Sequence, residues 1–419
     1  MTGIEPTERA LSEPDEAFRR LDALLQVGLR LVRSAPSGRL LLARVADTIE
    51  PAWLPHSWAE TIGAELEAAR AESLDAVDFK RVEGLLRDAW GSRPSDELDH
   101  LEREPAAVTP TSQVHRAVLD GVPVAVKVLR PGLAASVRQD LALAEGLLAP
   151  LGAAFPALDA GAILREFRDR VLDEFDLESE ATAQRRFHRA LRNHPFLTVP
   201  APVMRLAHPG VLVNEWIDGV PLPEAADPDQ ACARLVAFVV GAARAGVVHA
   251  DPGPGDVLVR SDGRLAILDF GATATVEAER VEGNAAALEA FVAGDEAALG
   301  RALAALGWLP AEHAGAALRL GRDLLGDLAG PDPVRLDSAA VIAVRDRAVR
   351  YPAEAVELSL AGVLPPEDLW PARGLAQLFA TIARVGATGA WRELIRAALR
   401  DGWDQSGSNT SSSQSANRR

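Results

Sequence analysis

Cysteine, lysine and long apolar runs are all scarce in this chain of 419 residues, and each scarcity excludes a class of protein. The single cysteine, Cys232, cannot close a disulfide within the chain, and the N-terminus shows no charged-then-apolar leader, so we expect a cytoplasmic protein. No stretch without a charged or polar side chain, 235–243 included, reaches the ~20 residues of a membrane-spanning helix. We therefore expect no integral membrane segment, and any membrane contact to be peripheral, at its inner face.

Positive charge is also in deficit. The chain has 44 basic and 60 acidic residues, which gives a formal net charge of −16 and a sequence pI near 5.0. Affinity for nucleic acid comes largely from Lys and Arg that displace counterions from phosphates, so we expect no nucleic-acid partner. With 48% apolar and 25% charged residues, the composition is that of an ordinary folded globular protein.

One of the only two lysines lies in a predicted strand. The apolar, β-branched runs 114–119 and 122–129 are separated by Asp120-Gly121, a dipeptide that tolerates the positive φ angles of a tight hairpin. This pattern predicts a β-hairpin with Lys127 in its second strand. A cation is costly in an apolar sheet unless it meets an anion, such as the phosphates of a nucleotide and a paired carboxylate. The alternative is a surface lysine on an edge strand.

Residue patterns divide the chain into four parts, predicted as a helical extension (1–95), a β-containing lobe with inserted helices (96–219), a helical lobe (220–403) and a disordered tail (404–419). Apolar residues recurring every three or four positions predict helices at about 38–49, 57–72, 78–90, 133–150, 160–193 and 228–245. Two short strands, 257–260 and 265–268, are predicted on either side of a Ser-Asp-Gly turn.

The residues that indicate chemistry follow the last of these helices. Segment 249–256 reads His-Ala-Asp-Pro-Gly-Pro-Gly-Asp, and Asp269 opens an Asp-Phe-Gly sequence after the two short strands. This is the catalytic-loop spacing of protein kinases, in which Asp251 would orient an acceptor hydroxyl while Asp256 and Asp269 would ligate Mg²⁺. The order of the parts predicts an α+β, bilobal protein-kinase-like fold, with a small β-containing N-lobe, a helical C-lobe and a helical N-terminal extension.

From about residue 50 to 280 the sequence resembles the UbiB/AarF family of atypical kinases, whose members are tied to isoprenoid-quinone metabolism. The similar segments are Gln-Val-His-Arg-Ala at 113–117, Val-Ala-Val-Lys-Val at 124–128, the acidic helix at 174–187, Glu-Trp-Ile-Asp-Gly at 215–219 and His-Ala-Asp-Pro at 249–252. The resemblance implies that ATP and Mg²⁺ are bound and that Lys127 and Asp251 are catalytic. It further implies nucleotide-binding roles for Glu180, which pairs with the lysine, for Ser112 and Gln113 at the nucleotide loop, and for Glu215 and Ile217 at the hinge.

The sequence departs from the family pattern at several places. Residues 42–45 read Leu-Ala-Arg-Val where the family carries an inhibitory Lys-x-Gly-Gln motif, and the C-terminal membrane helices of many relatives are missing. Pro110 and β-branched residues occupy the nucleotide loop, which predicts weaker or differently shaped phosphate binding. Asp256 replaces the metal-binding asparagine, which adds a negative charge next to the metal.

Three functions are compatible with these residues. The first is an ATPase or a kinase for a small or lipid-like molecule, which the retained aspartates favour. The second is a pseudokinase that works by holding protein partners, which the altered nucleotide loop favours. The third is an aminoglycoside-kinase-like phosphotransferase, which shares the His-x-Asp loop but lacks the long helical extension.

Overall fold

The computed structural model describes residues 75–139, 175–348 and 361–403, together with single positions between them and before residue 75. The predicted helix 38–49, most of the helix 57–72, the departure at 42–45 and the tail 404–419 lie outside the described residues. Within the described part, no helix is long and apolar enough to cross a membrane.

The described elements alternate between short strands and longer helices. The strands are β1 (His100–Leu101), β2 (Ala107–Val108), β3 (Ser112–Leu119), β4 (Val122–Leu129), β5 (Leu197–Thr198), β6 (Val211–Glu215), β7 (Val220–Pro221), β8 (Val247–His249), β9 (Val257–Val259), β10 (Leu265–Ile267), β11 (Thr273–Thr275), β12 (Val334–Arg335) and β13 (Thr388–Gly389). The helices are α1 (Phe79–Trp90), α2 (Pro94–Glu97), α3 (Leu177–Leu191), α4 (Pro228–Gly241), α5 (Ala278–Ala293), α6 (Glu296–Ala305), α7 (Ala314–Leu325), α8 (Ser338–Ala348), α9 (Leu369–Val385) and α10 (Trp391–Asp401).

The N-terminal lobe is built on an antiparallel sheet in which the strand order is β1-β3-β4-β6, with β2 also paired to β3. The β3–β4 hairpin confirms the prediction: Asp120 and Gly121 have φ angles of 51° and 77°, as a tight two-residue turn requires. The register sets Val114 opposite Lys127 and Gln113 opposite Val128. Because side chains alternate along a strand, these two pairs lie on opposite faces of the sheet.

Helix α1 packs on one face of this sheet. Val82 and Leu86 of α1 are fully buried and share a hydrophobic cluster with Val124, Val126 and Val128. Local chemistry explains the bounds of the helix, since the Asp78 side chain accepts a hydrogen bond from a first-turn N–H and Gly91 ends the helix with a φ of 70°. The predicted helix 78–90 is thus confirmed, and it contributes to the core of the N-terminal lobe.

Helix α3 begins after a break in the helix that the periodicity predicts over 160–193. Most of 160–174 lies outside the described residues, but residues 175 and 176 are not helical, and α3 starts at Leu177 because the Asp176 carboxylate accepts hydrogen bonds from the N–H groups of Glu178 and Ser179. Such a side chain competes with the backbone and favours a helix start over a helix interior. The buried stripe of α3 includes one charged residue, Glu180.

The C-terminal lobe is mostly helical. Its core is formed around α4, α9 and α10, with Leu235 and Phe238 packed against Ile267 of a second sheet, of order β5-β10-β9-β7. The predicted helix 228–245 appears as α4 followed by a 3-10 turn over Ala242–Ala245, and the two predicted short strands are β9 and β10. Strand β7 pairs with β9, so the chain passes from the first sheet to the second through residues 216–219.

Candidate active site

Three charged side chains from distant parts of the sequence meet between the lobes. The ammonium group of Lys127 donates hydrogen bonds to both carboxylate oxygens of Glu180 at 2.9 Å, and to Oδ2 of Asp269 at 2.7 Å. The Glu180 side chain is 1% exposed, that of Lys127 15% and that of Asp269 30%, so the cluster opens to solvent on the Asp269 side. The lysine is therefore an internal residue with two anionic partners, and the alternative of an edge-strand surface lysine is wrong.

Burial and mutual charge control the protonation of this cluster. Burial alone would lower the pKa of Lys127, but the charges of Asp269 and Glu180 outweigh burial and raise that pKa. Burial, together with the charge of Asp269, raises the pKa of Glu180 to about 7, against the opposing effect of Lys127. One cation thus faces two carboxylates. Asp269 is the more exposed of the two and is therefore better placed to bind a further cation.

The backbone around Asp269 is held by the same helix that supplies Glu180. The N–H of Phe270 lies 3.4 Å from Oε1 of Glu180, and the N–H of Gly271 donates to Oδ1 of Asp269 at 2.9 Å. Phe270 is fully buried against Phe187, two turns after Glu180 on α3, with ring centroids 5.0 Å apart. Helix α3 therefore positions both Glu180 and the segment that carries Asp269.

His249 ends strand β8 inside an aromatic pocket. Its Nε2–H donates to the backbone carbonyl of Asp269 at 2.6 Å, and its ring packs edge-on against Phe270 and Phe238. Its Nδ1 atom is buried and has no hydrogen-bond partner among the described residues, and burial lowers the pKa of the imidazole. We infer that His249 is a neutral structural residue that links the two halves of the site.

Helix α9 clamps the loop that follows His249. Arg373 and Gln377 each donate a hydrogen bond to a different carboxylate oxygen of Asp251, both at 2.8 Å. Thr381, one further turn along, donates to the carbonyl of Pro252 at 2.8 Å. The spacing of four residues places these three side chains on one helix face. These contacts fix the position of the Asp251 carboxylate.

Asp256 and Asp269 lie at the same end of the β9–β10 hairpin. Val257 pairs with Ile267, and the N–H of Leu268 donates to the carbonyl of Asp256 at 2.8 Å, so each aspartate is at or next to the final rung of the ladder. Among the residues that the structure describes, no group of three or more His, Cys, Asp or Glu is arranged to hold a metal ion. Two carboxylates fit Mg²⁺, which normally takes its remaining ligands from phosphate oxygens and water.

The nucleotide loop uses its backbone donors internally. The Thr109 hydroxyl accepts hydrogen bonds from the N–H groups of Thr111 at 3.3 Å and Ser112 at 3.0 Å, and Pro110 has no N–H to offer. The Ser112 side chain is buried and its hydroxyl lies 3.0 Å from that of Thr109. These amides are therefore occupied within the loop and do not form the open nest that binds phosphate.

Gln113 is placed differently from its predicted role in nucleotide binding. It lies opposite Val128, on the α1 face of the sheet, whereas Lys127 points to the other face. Its buried side-chain amide accepts from the N–H of Val77 at 2.7 Å and contacts Nε2 of His115 at 2.7 Å. The period of two in a strand directs this side chain to the chain preceding α1, so a nucleotide-binding role of Gln113 would use its backbone groups.

The predicted hinge residues follow the end of β6. Glu215 is exposed and opposite Val124, so its side chain is also on the α1 face, and its carboxylate lies 3.4 Å from the N–H of Ala201. Only backbone groups of Glu215 are available to a ligand on the Lys127 face. Ile217 is buried in the connection between the two sheets.

Four site residues were missed by sequence reasoning, namely Asn214, Arg373, Gln377 and Thr381. A signal existed for most of them: Gln377 and Thr381 are polar residues on the otherwise apolar buried stripe of α9, and Asn214 interrupts an apolar strand. Arg373 carried no such signal, since arginine is the common basic residue of this chain.

Comparison with known proteins agrees with this architecture. The sequence model of the ABC1 atypical kinase-like domain matches residues 70–303, a stretch that includes Lys127, Glu180, Asp251 and Asp269 but ends before α9. A solved structure, that of the Rv3197–erythromycin complex from Mycobacterium tuberculosis, superposes with a TM-score of 0.59 at 20% identity, covering 93% of this chain and 99% of that one. This likeness shows the fold.

Curated relatives share the same stretch. The chain is 28% identical over 249 residues to the "Probable protein kinase UbiB" of Marinobacter nauticus, covering 56% of this chain and 46% of that protein. It is 31% identical over 205 residues to the Arabidopsis thaliana chloroplastic protein "ACTIVITY OF BC1 COMPLEX KINASE 1", covering 46% of this chain and 30% of that protein. The chain thus spans less than half the length of these relatives. It belongs to the ABC1, or UbiB/AarF-type, family of atypical kinase-like proteins.

Proposed function

We propose that the protein binds Mg-ATP between its two lobes and transfers the γ-phosphoryl group to water or to a small or lipid-like molecule. The observation that carries this proposal is the triad of Lys127, Glu180 and Asp269. In it, a largely buried lysine is hydrogen-bonded to one buried carboxylate and to one partly exposed carboxylate. Such a lysine and carboxylate pair must be in place for phosphoryl transfer in kinase folds.

The protein's own groups have distinct tasks in this proposal. Lys127 binds phosphate oxygens, and Glu180 fixes the position of its ammonium group. Asp251 orients the acceptor oxygen and accepts its proton, while Arg373 and Gln377 hold that carboxylate in place. Asp256 and Asp269 are the carboxylates that would hold Mg²⁺, which neutralises phosphate charge when bound.

One cavity suits a small-molecule acceptor. Its volume is about 730 Å³, within the range of small-molecule sites, and its lining includes Val276, Arg280, Leu306 and Trp370. Its link to Asp251 is Trp370, which packs in one cluster with Ala250, the residue before Asp251. The resemblance to the UbiB/AarF family makes isoprenoid-quinone precursors the first acceptors to screen, and the erythromycin in complex with the structural neighbour makes a macrolide the second.

A thermal-shift titration with ATP, with and without Mg²⁺, tests the proposal. Wild-type protein is compared with Asp269→Asn, and with Asp262→Asn as a matched control, because Asp262 is an exposed carboxylate at the other end of the same hairpin. Ligand at a hundred times its Kd stabilises the folded state by about 2.7 kcal/mol, which is a shift of a few degrees. We expect a Mg²⁺-dependent shift in wild type and Asp262→Asn, and a much smaller one in Asp269→Asn.

A pseudokinase is the competing function, and one observation favours it. The Thr109 hydroxyl occupies the loop amides that would otherwise bind phosphate. If millimolar ATP produced no shift with Mg²⁺ in any of these proteins, the proposed enzyme would be excluded and the protein would be a module that holds protein partners. A shift without turnover on any acceptor or water would retain nucleotide binding but exclude phosphoryl transfer.

A further inference from the structure

Asn214 is a polar residue in an apolar strand, and its side-chain oxygen has no partner among the described residues. It follows Val211, Leu212 and Val213 in β6, and the residue is 8% exposed. Its Oδ1 atom is buried and accepts no hydrogen bond from the part of the chain that the structure describes. Buried polar atoms are nearly always paired, because an unpaired one loses its hydration without compensation. Such an acceptor can pair with a donor that a ligand supplies, provided that it faces the ligand site.

The register of the sheet shows which way Asn214 points. Asn214 lies opposite Ala125, and its neighbour on the same face of β6, Leu212, lies opposite Lys127. Residues opposite each other in an antiparallel pair share a face, and residues two apart along a strand share it too. Asn214 is therefore on the Lys127 face, displaced from Lys127 by about 7 Å along the strand and by one strand spacing across the sheet.

A nucleotide whose phosphates met Lys127 and whose base extended along β6 would bring that base to Asn214. Lys127 and Asp269 would bind the phosphate end, and the chain leaves the sheet after Glu215, the residue that follows Asn214. The Glu215 side chain is on the opposite face, so that residue would offer the base only its backbone groups. In this orientation Asn214 would face the edge of the base.

We propose that Asn214 Oδ1 accepts a hydrogen bond from the 6-amino group of adenine, and that it selects ATP over nucleotides with a 6-oxo purine. This inference rests on the proposed function and identifies the base specificity of that site. A 6-amino group is a donor, which pairs with an amide oxygen. Guanine and hypoxanthine carry an acceptor oxygen at that position. Two acceptor oxygens would then face each other without a hydrogen atom between them.

Binding measurements with three nucleotides test the inference. ATP, inosine triphosphate and purine riboside triphosphate differ at position 6, which bears an amino group, an oxygen and a hydrogen respectively. For the wild type in Mg²⁺ we expect ATP to bind about tenfold more tightly than inosine triphosphate, as one buried hydrogen bond and its mismatch imply, with purine riboside triphosphate between them.

Asn214→Leu is the informative variant. Leucine has a similar shape and no polar atom, so the variant should fold at least as stably as the wild type, since the orphaned oxygen is removed. We expect it to lose affinity for ATP but not for inosine triphosphate, which brings their ratio to about one. Gln184→Met is the control, because Gln184 is another buried amide with an unpartnered oxygen, but on α3. It should retain the wild-type ratio.

The outcomes separate this inference from the proposed function. Equal affinity for ATP and inosine triphosphate in the wild type would overturn the role of Asn214 and leave the nucleotide site standing. Tighter binding of inosine or guanosine triphosphate would also overturn it, and would show the amide presenting its NH₂ group. Failure of all three nucleotides to bind would remove the proposed function itself.

Discussion

Arg373 donates a hydrogen bond to Asp251 at 2.8 Å although the two residues are 122 positions apart in the sequence. Together with Gln377 it fixes both oxygens of the carboxylate that would orient the acceptor. Arg373 lies beyond residues 70–303, the stretch matched by the family, so this contact joins the matched domain to the described C-terminal part of the chain.

Replacing Arg373 by alanine should reduce turnover far more than ATP affinity. The carboxylate of Asp251 would lose its charged partner and one of its two fixed contacts, and misplacement of a reacting group reduces rates by about 10- to 100-fold. Steady-state ATP hydrolysis and a separate measurement of the Kd for ATP would show a fall in kcat with little change in Kd.

The control for that variant is Arg396→Ala. Arg396 is similarly exposed, at 27% against 24% for Arg373, but it pairs with Glu289. It should leave kcat unchanged, and Arg373→Lys should restore part of the rate because the charge is retained without the guanidinium geometry. An equal loss in both alanine variants would contradict a specific role for Arg373.

Replacing Lys127 by methionine should abolish ATP binding and destabilise the fold. Glu180 and Asp269 would be left as neighbouring carboxylates without their cation, and removal of one partner from a buried ion pair costs about 3–5 kcal/mol. Urea unfolding would measure this loss. Lys80, the other lysine, is exposed on α1, so Lys80→Met should change the free energy of unfolding by less than about 0.5 kcal/mol. A Lys127→Met protein that still bound Mg-ATP with wild-type affinity would refute the assignment.

Replacing Gly374 by alanine should displace α9 from the catalytic loop. A Cβ atom at this position would lie 2.6 Å from the carbonyl oxygen of His249, a backbone atom that cannot move aside cheaply. Overpacking of this kind costs about 1–3 kcal/mol and should also lower turnover. A Cβ atom at Gly84, inside α1, would meet nothing within 4 Å, so Gly84→Ala should stabilise by up to about 1 kcal/mol. Similar unfolding free energies for the two variants would mean that α9 does not pack closely on the loop.

The free energy of unfolding should depend on pH because of Glu180. Its pKa is raised from 4.5 to about 7 in the folded state, so between these values the folded protein binds a proton that the unfolded chain has released. By linkage, the contribution of this group is present in acid and is lost as pH rises through 7. Urea unfolding of wild type and Glu180→Gln from pH 5 to 8 should show the wild type losing roughly 2–3 kcal/mol relative to the variant. Parallel profiles for the two proteins would show that Glu180 is already ionised at pH 5.

The sequence alone was sufficient where the determining interactions are local. The Asp120-Gly121 turn and the helix at 78–90 both depend on residues close in the chain, and both were predicted in the right place. The break before α3 was not predicted. The apolar periodicity continues through Asp176, but the side chain of this aspartate caps the helix and starts α3 at Leu177.

Tertiary structure decided which side chains meet. Strand register places the Gln113 side chain on the α1 face of the sheet and the Asn214 side chain on the Lys127 face. The neighbours of each residue in the sequence lie on the opposite face. Helix packing brought Arg373 to Asp251 across the whole C-terminal lobe. Local patterns fix the elements and the candidate chemistry of this protein because backbone geometry acts over a few residues. Which side chains come together at the candidate site depends on how distant elements pack. The reason is that side chains are buried, and find their hydrogen-bond partners, between elements that are far apart in the sequence.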